Sequence, residues 1–300
     1  MAQTTIDPGY ERGGLRRRVS RVLYQRPRLR LALLLGGPIV WLLVAYVGSL
    51  VALLVTSLYH YGTDATGLVP KLITSPSTTN YARLWDTQVY RRVALRSVGA
   101  AVSVTVIDLL IALPVAFYMA KLARPWVRRA LVVAVTMPLW AGYLVKGYAW
   151  RAMLDPAGGV LHEVFGHSPG FGLQGTVLTL SYLWLPYMVI PIYAGLERLP
   201  NSLLEASTDL GAKAGRTFVR VVLPQLRPSI VAGSIFTFAL TLGDFYMAQI
   251  VGGTTQFIGN VVYREFSANL PFAAAYATLP IVIMVGYLLA ARSSGALEEL

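Results

Sequence analysis

Six stretches of this chain are each apolar for about the 20 residues that an α-helix needs to cross a bilayer. They run over Leu31–Leu58, Ser97–Ala120, Ala130–Trp150, Thr176–Leu196, Ile230–Ile250 and Phe272–Ala291. This feature restricts the fold more than any other. In lipid a backbone amide finds no water, so only a helix or a closed barrel satisfies its own hydrogen bonds. The stretches are continuous rather than alternating, which selects helices. Pro114, Pro138, Pro186, Pro191 and Pro280 fall inside them, and prolines are tolerated where neighbouring helices satisfy the freed carbonyls. Only 13% of the residues are charged, against about a quarter in soluble domains. The expectation is an all-α membrane protein of six spans.

The formal net charge is +12. Basic charge of this size can indicate nucleic-acid binding, but here the cations gather between the apolar runs. Eight lie in residues 1–30, and further groups are Lys121, Arg124, Arg128 and Arg129, then Arg198, Lys213, Arg216, Arg220 and Arg227, then Arg292. Cytoplasmic loops of membrane proteins concentrate Lys and Arg, so this pattern puts both termini inside and argues against nucleic acid as a partner. Arg91, Arg92 and Arg96, at the outer start of the second span, run against it. Residues 1–30 read as a basic cytoplasmic segment rather than a cleavable signal, residues 31–292 as the membrane domain, and residues 293–300 as a short cytoplasmic tail. The outer loops are residues 59–96, 151–175 and 251–271, and Tyr81, Trp85 and Tyr90 in the first suggest an interfacial amphipathic segment. The chain has no Cys, which removes thiolate catalysis and thiolate metal sites. His60, His162 and His167 lack ligand spacing, and no Ser/His/Asp arrangement suggests a hydrolase.

The most informative loop is Leu199–Ser229, LPNSLLEASTDLGAKAGRTFVRVVLPQLRPS. Ser202 and Glu205 have the S-x-x-E spacing of a capping box, predicting a helix from about Leu203. Asp209 continues its polar face. Gly211 permits a sharp turn, a second amphipathic stretch covers Ala214–Val222, and Pro224 is expected to end it. A helical knob of this kind can dock in a groove of a soluble partner. The loop resembles the signature of binding-protein-dependent ABC permeases: Glu-Ala-Ala, three residues, Gly, nine residues, Ile-x-Leu-Pro. Here the residues are Glu205-Ala206-Ser207, then Gly211, then Val221-Val222-Leu223-Pro224, with Ser207 and Val221 departing conservatively. Gly211–Thr217 lacks the spacing of a phosphate-binding loop, so ATP hydrolysis is expected from another subunit.

Three further runs resemble the spermidine/putrescine branch of these permeases: TLGDFYMAQIVGG from Thr241, FIGNVVYREFSANLPF from Phe257, and MPLWAGYLVKGYAW from Met137. Polyamines are polycations, which carboxylates and aromatic faces attract. Asp244, Phe245 and Tyr246 are the first candidates for a substrate path, with Asp108, Trp140, Tyr143 and Tyr148 beside them. Asp244 also reads as the partner of Arg151, Lys146 or a backbone group, and Asp108 reads first as structural. The aromatic residues near span ends also fit an interfacial belt. Lys146 and Arg151 would repel a polycation unless they point away.

The resemblance implies a type I importer permease with a cytoplasmic coupling helix, working by alternating access. It implies four kinds of partner: a homologous second permease subunit, two ATPase subunits, an outer solute-binding protein and the lipid bilayer. No cofactor is expected on this chain itself, since ATP and Mg would serve the ATPase. Permeases for thiamine, iron or sugars, and an ion-gradient-driven carrier, remain as alternatives. A carrier would need no docking knob.

Overall fold

The structure, a computed structural model, describes residues 27–63 and 70–293. The basic residues from Arg12 to Arg26 and the tail after Ser293 lie outside the described residues. Two compact units are present, Met1–Val55 and Thr56–Leu300. The described part of the first is helical: α1 (Pro27–Leu42), a π-helical segment Leu43–Val47, and α2 (Gly48–Ser57), which runs into the second unit. Its stretch Leu34–Ser57 is 24 residues long and apolar enough to cross a bilayer.

The second unit opens with a two-stranded antiparallel ribbon, β1 (His60–Thr63) against β2 (Pro70–Ile73), a small departure from an all-α chain. Next come α3 (Thr79–Asp86), α4 (Gln88–Phe117), α5 (Pro125–Trp140), α6 (Tyr143–Met153), α7 (Val160–Phe165) and α8 (Leu173–Arg198). They are followed by α9 (Asn201–Asp209), α10 (Ala214–Thr217), α11 (Leu223–Gln225), α12 (Arg227–Leu242), α13 (Tyr246–Val251), α14 (Ile258–Ala268) and α15 (Leu270–Ser293). Amphipathic α3 carries Tyr81 and the exposed Trp85, but Tyr90 is a buried residue of α4, packed between Phe272 and Tyr276 rather than lying at an interface.

The centre of the unit is the packing of α4, α8 and α12. Helices in lipid gain nothing from burying Leu against Leu, so close approach through small residues drives their association. A Cβ on Gly195 of α8 would lie 2.3 Å from the Ser229 hydroxyl of α12, and one on Gly233 of α12 would lie 2.8 Å from the Met188 sulfur of α8. Each helix therefore supplies a glycine where the other crosses it. The Thr237 hydroxyl reaches Thr105 of α4 at 3.4 Å.

Among the described residues four helices are long and apolar enough to span alone: Leu34–Ser57, Gln88–Leu122, Leu173–Arg198 and Leu270–Arg292. The other two expected spans are not straight. The third breaks between α5 and α6 with a 99° bend. Ala141 and Gly142 are extended there, and the Lys146 ammonium donates to the Pro138 carbonyl at 3.0 Å, satisfying a group the bend frees. The fifth, read as Ile230–Ile250, ends at Leu242; Gly243, Asp244 and Phe245 separate it from α13. Asp244 therefore sits in a break rather than within a helix, because its side chain caps the next one. The Met247 amide donates to Asp244 Oδ1 at 2.9 Å.

Candidate functional site

The loop after α8 folds as two helices around a tight turn, close to expectation but with different ends. The S-x-x-E box does not form. Pro200, at φ −63° and ψ 137°, takes the extended position before α9. Ser202 is thereby already helical, and a capping Ser must be non-helical. The C-terminal end is a full Schellman motif. Gly211 is left-handed at φ 76°. Its amide donates to Thr208 O at 2.8 Å, and the Ala212 amide donates to Ser207 O at 3.1 Å. The hydroxyls of Ser207 and Thr217 lie 2.8 Å apart, joining α9 to α10.

Pro224 does not end the second helix, which continues to Gln225 and bends 68° into α12. The π-helical segment Phe218–Val222 precedes it, where the Leu223 amide donates to Phe218 O. Its altered register absorbs the missing proline N–H. The inner face of the knob is seated on the bundle. Val222 and Leu226 are buried with Ala112, Ala116 and Met119 of the second span and Ile192 and Leu196 of α8. Phe218 packs edge-on against Phe117 at 5.9 Å. The outer face is free: Glu205, Ala206, Asp209 and Gly211 are exposed, and Leu210 is 88% exposed. Val221, Leu223 and Pro224 are half-buried beneath it.

At the other end of the bundle, Asp244 is 7% exposed. The Tyr143 hydroxyl donates to its Oδ2. The carboxylate thus engages a tyrosine and a backbone amide rather than Arg151 or Lys146. Tyr143 stacks on Trp184 at 5.8 Å and meets Tyr246 edge-on at 6.5 Å; Trp184 meets Tyr187 at 5.9 Å, and Phe245 meets Tyr246 at 4.0 Å. These rings come from α6, α8, the break after α12 and the first residue of α13. The break is held by Asn260, whose side chain accepts from the Phe257 amide and donates to Phe245 O, both at 2.9 Å. Beside the rings an open groove of about 430 Å³ is lined by Leu144, Tyr148, Arg151, Tyr246, Gln249 and Ile250. The Arg151 guanidinium donates to Ile250 O and lies 4.7 Å from the Phe171 ring centre.

Of the expected path residues, the structure brings together Tyr143, Asp244, Phe245 and Tyr246. Tyr148 joins through the groove. Trp140 stands 90% exposed at the end of α5, and Asp108 is completely buried on α4. Its carboxyl faces the Ser181 hydroxyl of α8 without forming a well-aligned hydrogen bond. Two contributors were missed. Gln249 lies within the TLGDFYMAQIVGG run, but nothing there singled it out as a groove residue. Lys121 ends an apolar run as many lysines do, yet its ammonium reaches Leu199 O at 2.7 Å and Asn201 Oδ1 at 3.0 Å.

Residues 90–298 match the family model described as binding-protein-dependent transport system inner membrane component. The inner membrane ABC transporter permease protein YdcU of Escherichia coli K12 is 39% identical, over 94% of this chain and 95% of its own length. The spermidine/putrescine transport system permease PotB of Haemophilus influenzae is 35% identical, over 68% of this chain and 74% of its own. PotB of Escherichia coli K12 is 33% identical, over 73% and 83%. Among solved structures, a bacterial alginate ABC transporter in complex with its alginate-bound periplasmic protein aligns with a TM-score of 0.69, covering 90% of this chain and 96% of that one at 14% identity. The methionine transporter MetNI aligns with a TM-score of 0.53, covering 69% and 96% at 18% identity. The broken spans, the knob beneath the bundle and these similarities together make this chain a multi-pass membrane protein of the binding-protein-dependent ABC importer permease family.

Proposed function

We propose that this permease imports a polyamine such as spermidine or putrescine. The observation that carries the substrate assignment is the Asp244 carboxylate set behind the Tyr143 hydroxyl in a break between helices, with aromatic faces beside it. A flexible polycation is drawn by such faces and by a negative charge in a low-dielectric site. Of the cations that would oppose it, Lys146 is held on Pro138 O, whereas Arg151 lines the groove with its guanidinium tied to Ile250 O and the Phe171 ring. The similarity to the PotB permeases supports the same class.

In this reading both termini are cytoplasmic and the knob formed by α9 and α10 faces the cytoplasm. Glu205, Ala206, Asp209 and Gly211 present its docking face to one of two ATPase subunits, which use ATP and Mg; Ser202, Val221, Leu223 and Pro224 shape it. A homologous second permease completes the path, and an extracytoplasmic binding protein delivers the solute. The test is uptake into proteoliposomes holding the complete complex and loaded with ATP. Labelled spermidine should enter, and unlabelled putrescine should compete while sugars and phosphate do not. ATP-dependent uptake of a neutral or anionic solute in preference to spermidine would overturn the substrate assignment.

A further inference from the structure

We infer that Lys121 is the positioning residue that ties the orientation of the docking knob to the second span. The inference rests on the reading that α9 receives an ATPase subunit. Lys121 lies in the π-helical segment Tyr118–Leu122 that closes the second span. Its ammonium donates to Leu199 O at 2.7 Å, at the C-terminal end of α8, and to Asn201 Oδ1 at 3.0 Å, in the first residue of α9. It thus bridges the Leu199–Pro200 joint on which the knob would pivot, from a helix about 80 residues away in sequence.

The chemistry suits that position. The end of α8 presents carbonyls without helical partners and the negative end of its dipole, where a cation is stabilised. An ammonium has several donors and can hold a carbonyl and a side-chain oxygen together. The other polar contacts nearby stop short of the knob. Arg128 of α5 pairs with Glu197 of α8 at 3.5 Å, and the Tyr193 hydroxyl donates to the same carboxylate. The remaining seating of the knob is the Ser207–Thr217 hydroxyl contact within it and apolar packing through Leu204, Phe218, Val222 and Leu226. Apolar burial is non-directional. It holds the knob on the bundle without fixing its angle, whereas two hydrogen bonds at the first turn of α9 do fix it. Removing Lys121 should therefore leave the ATPase docked and disconnect its movement.

The experiment uses the whole importer in proteoliposomes with spermidine-loaded binding protein. Two quantities are read: the ATPase subunit recovered with the permease, and the stimulation of ATP hydrolysis by the loaded binding protein. Lys121→Met should keep recovery within about twofold and lower stimulation about tenfold, the size of one lost charge-assisted hydrogen bond. Lys121→Arg should recover most of it. Asn201→Ala should cost about threefold, and adding it to Lys121→Met should cost nothing more. Unchanged stimulation in Lys121→Met overturns the inference, as do additive losses in the double variant. Loss of the ATPase subunit from Lys121→Met also overturns it, because Lys121 would then belong to docking itself. Failure of the parent chain to retain any ATPase subunit at α9 would instead remove the docking assignment beneath it.

Discussion

Gly211 offers a clean separation of backbone conformation from side-chain bulk. Its φ is +76°, and a Cβ added there meets nothing within 4 Å. A substitution therefore costs only what the left-handed conformation costs an L-residue, about 1–2 kcal/mol. That lowers the population of the turn that orients α9 roughly 5- to 30-fold, and β-branched Val lies at the upper end, about 30-fold. Asn adopts the left-handed region with little strain, so Gly211→Asn should stay within about threefold of the parent. Gly211→Asp has similar backbone tolerance but adds a charge at the docking face; its shortfall relative to Asn measures electrostatic interference. The assay is spermidine uptake in cells, alongside recovery of the ATPase subunit with the purified permease. The expected order is Gly, Asn, Asp, Val. Uptake by Gly211→Val at the parent level would refute the conformational role. Equal defects in Asn and Val would mean that bulk at the docking surface is responsible.

Removing the Tyr143 hydroxyl with Tyr143→Phe strips a buried carboxylate of one donor, a loss of about 1–3 kcal/mol, and should lower the Tm of the purified permease; an unchanged Tm would mean that Asp244 is otherwise satisfied. Asp244→Asn should reduce polyamine uptake at least tenfold more than Asp108→Asn, since only Asp244 sits at the ring cluster; equal effects in the transport assay would return Asp244 to a purely structural role. Gly195→Leu forces α8 away from Ser229 of α12 and should cost about 2 kcal/mol or more of stability, read as lost monodispersity or a lower Tm; a stable, active variant would contradict the close crossing. Asp108→Leu removes a buried carboxyl that faces the Ser181 hydroxyl without a well-aligned hydrogen bond and should hold or raise Tm; a clear fall would show that the Asp108–Ser181 contact stabilises the crossing of α4 and α8.

The number of apolar stretches was legible because lipid imposes one requirement on every residue of a span. The breaks were not, because hydropathy averages across them. Gly142 and Gly243 are single residues inside apolar windows, and what stabilises each break is distant or local polar chemistry: Lys146 on Pro138 O in one, Asp244 on the Met247 amide in the other. The Gly-Asp pair at 243–244 did hold a signal, a helix stop followed by a cap, and it was read for charge rather than for chain direction. The glycine of the knob was legible from spacing. Its N-terminal end was misread because Pro200, rather than Ser202, occupies the capping position. At the ring cluster the sequence supplied the residue types, and only the fold decided that Tyr143 and not Trp140 meets Asp244. Lys121 was legible as a cytoplasmic cation but not as a contact, since its partners lie beyond four intervening helices in the chain.

Cysteine cross-linking from Leu210 most directly tests whether an ATP-hydrolysing subunit grips the knob. No native Cys interferes, and Leu210 projects from the outer face at the end of α9. With a short thiol-to-amine cross-linker applied to membranes containing the complete importer, Leu210→Cys should form an adduct with the ATPase subunit, and an exposed control such as Trp140→Cys should not. If Leu210→Cys yields no such adduct, or is instead labelled from outside intact cells by a membrane-impermeant reagent, the knob does not couple ATP hydrolysis to transport.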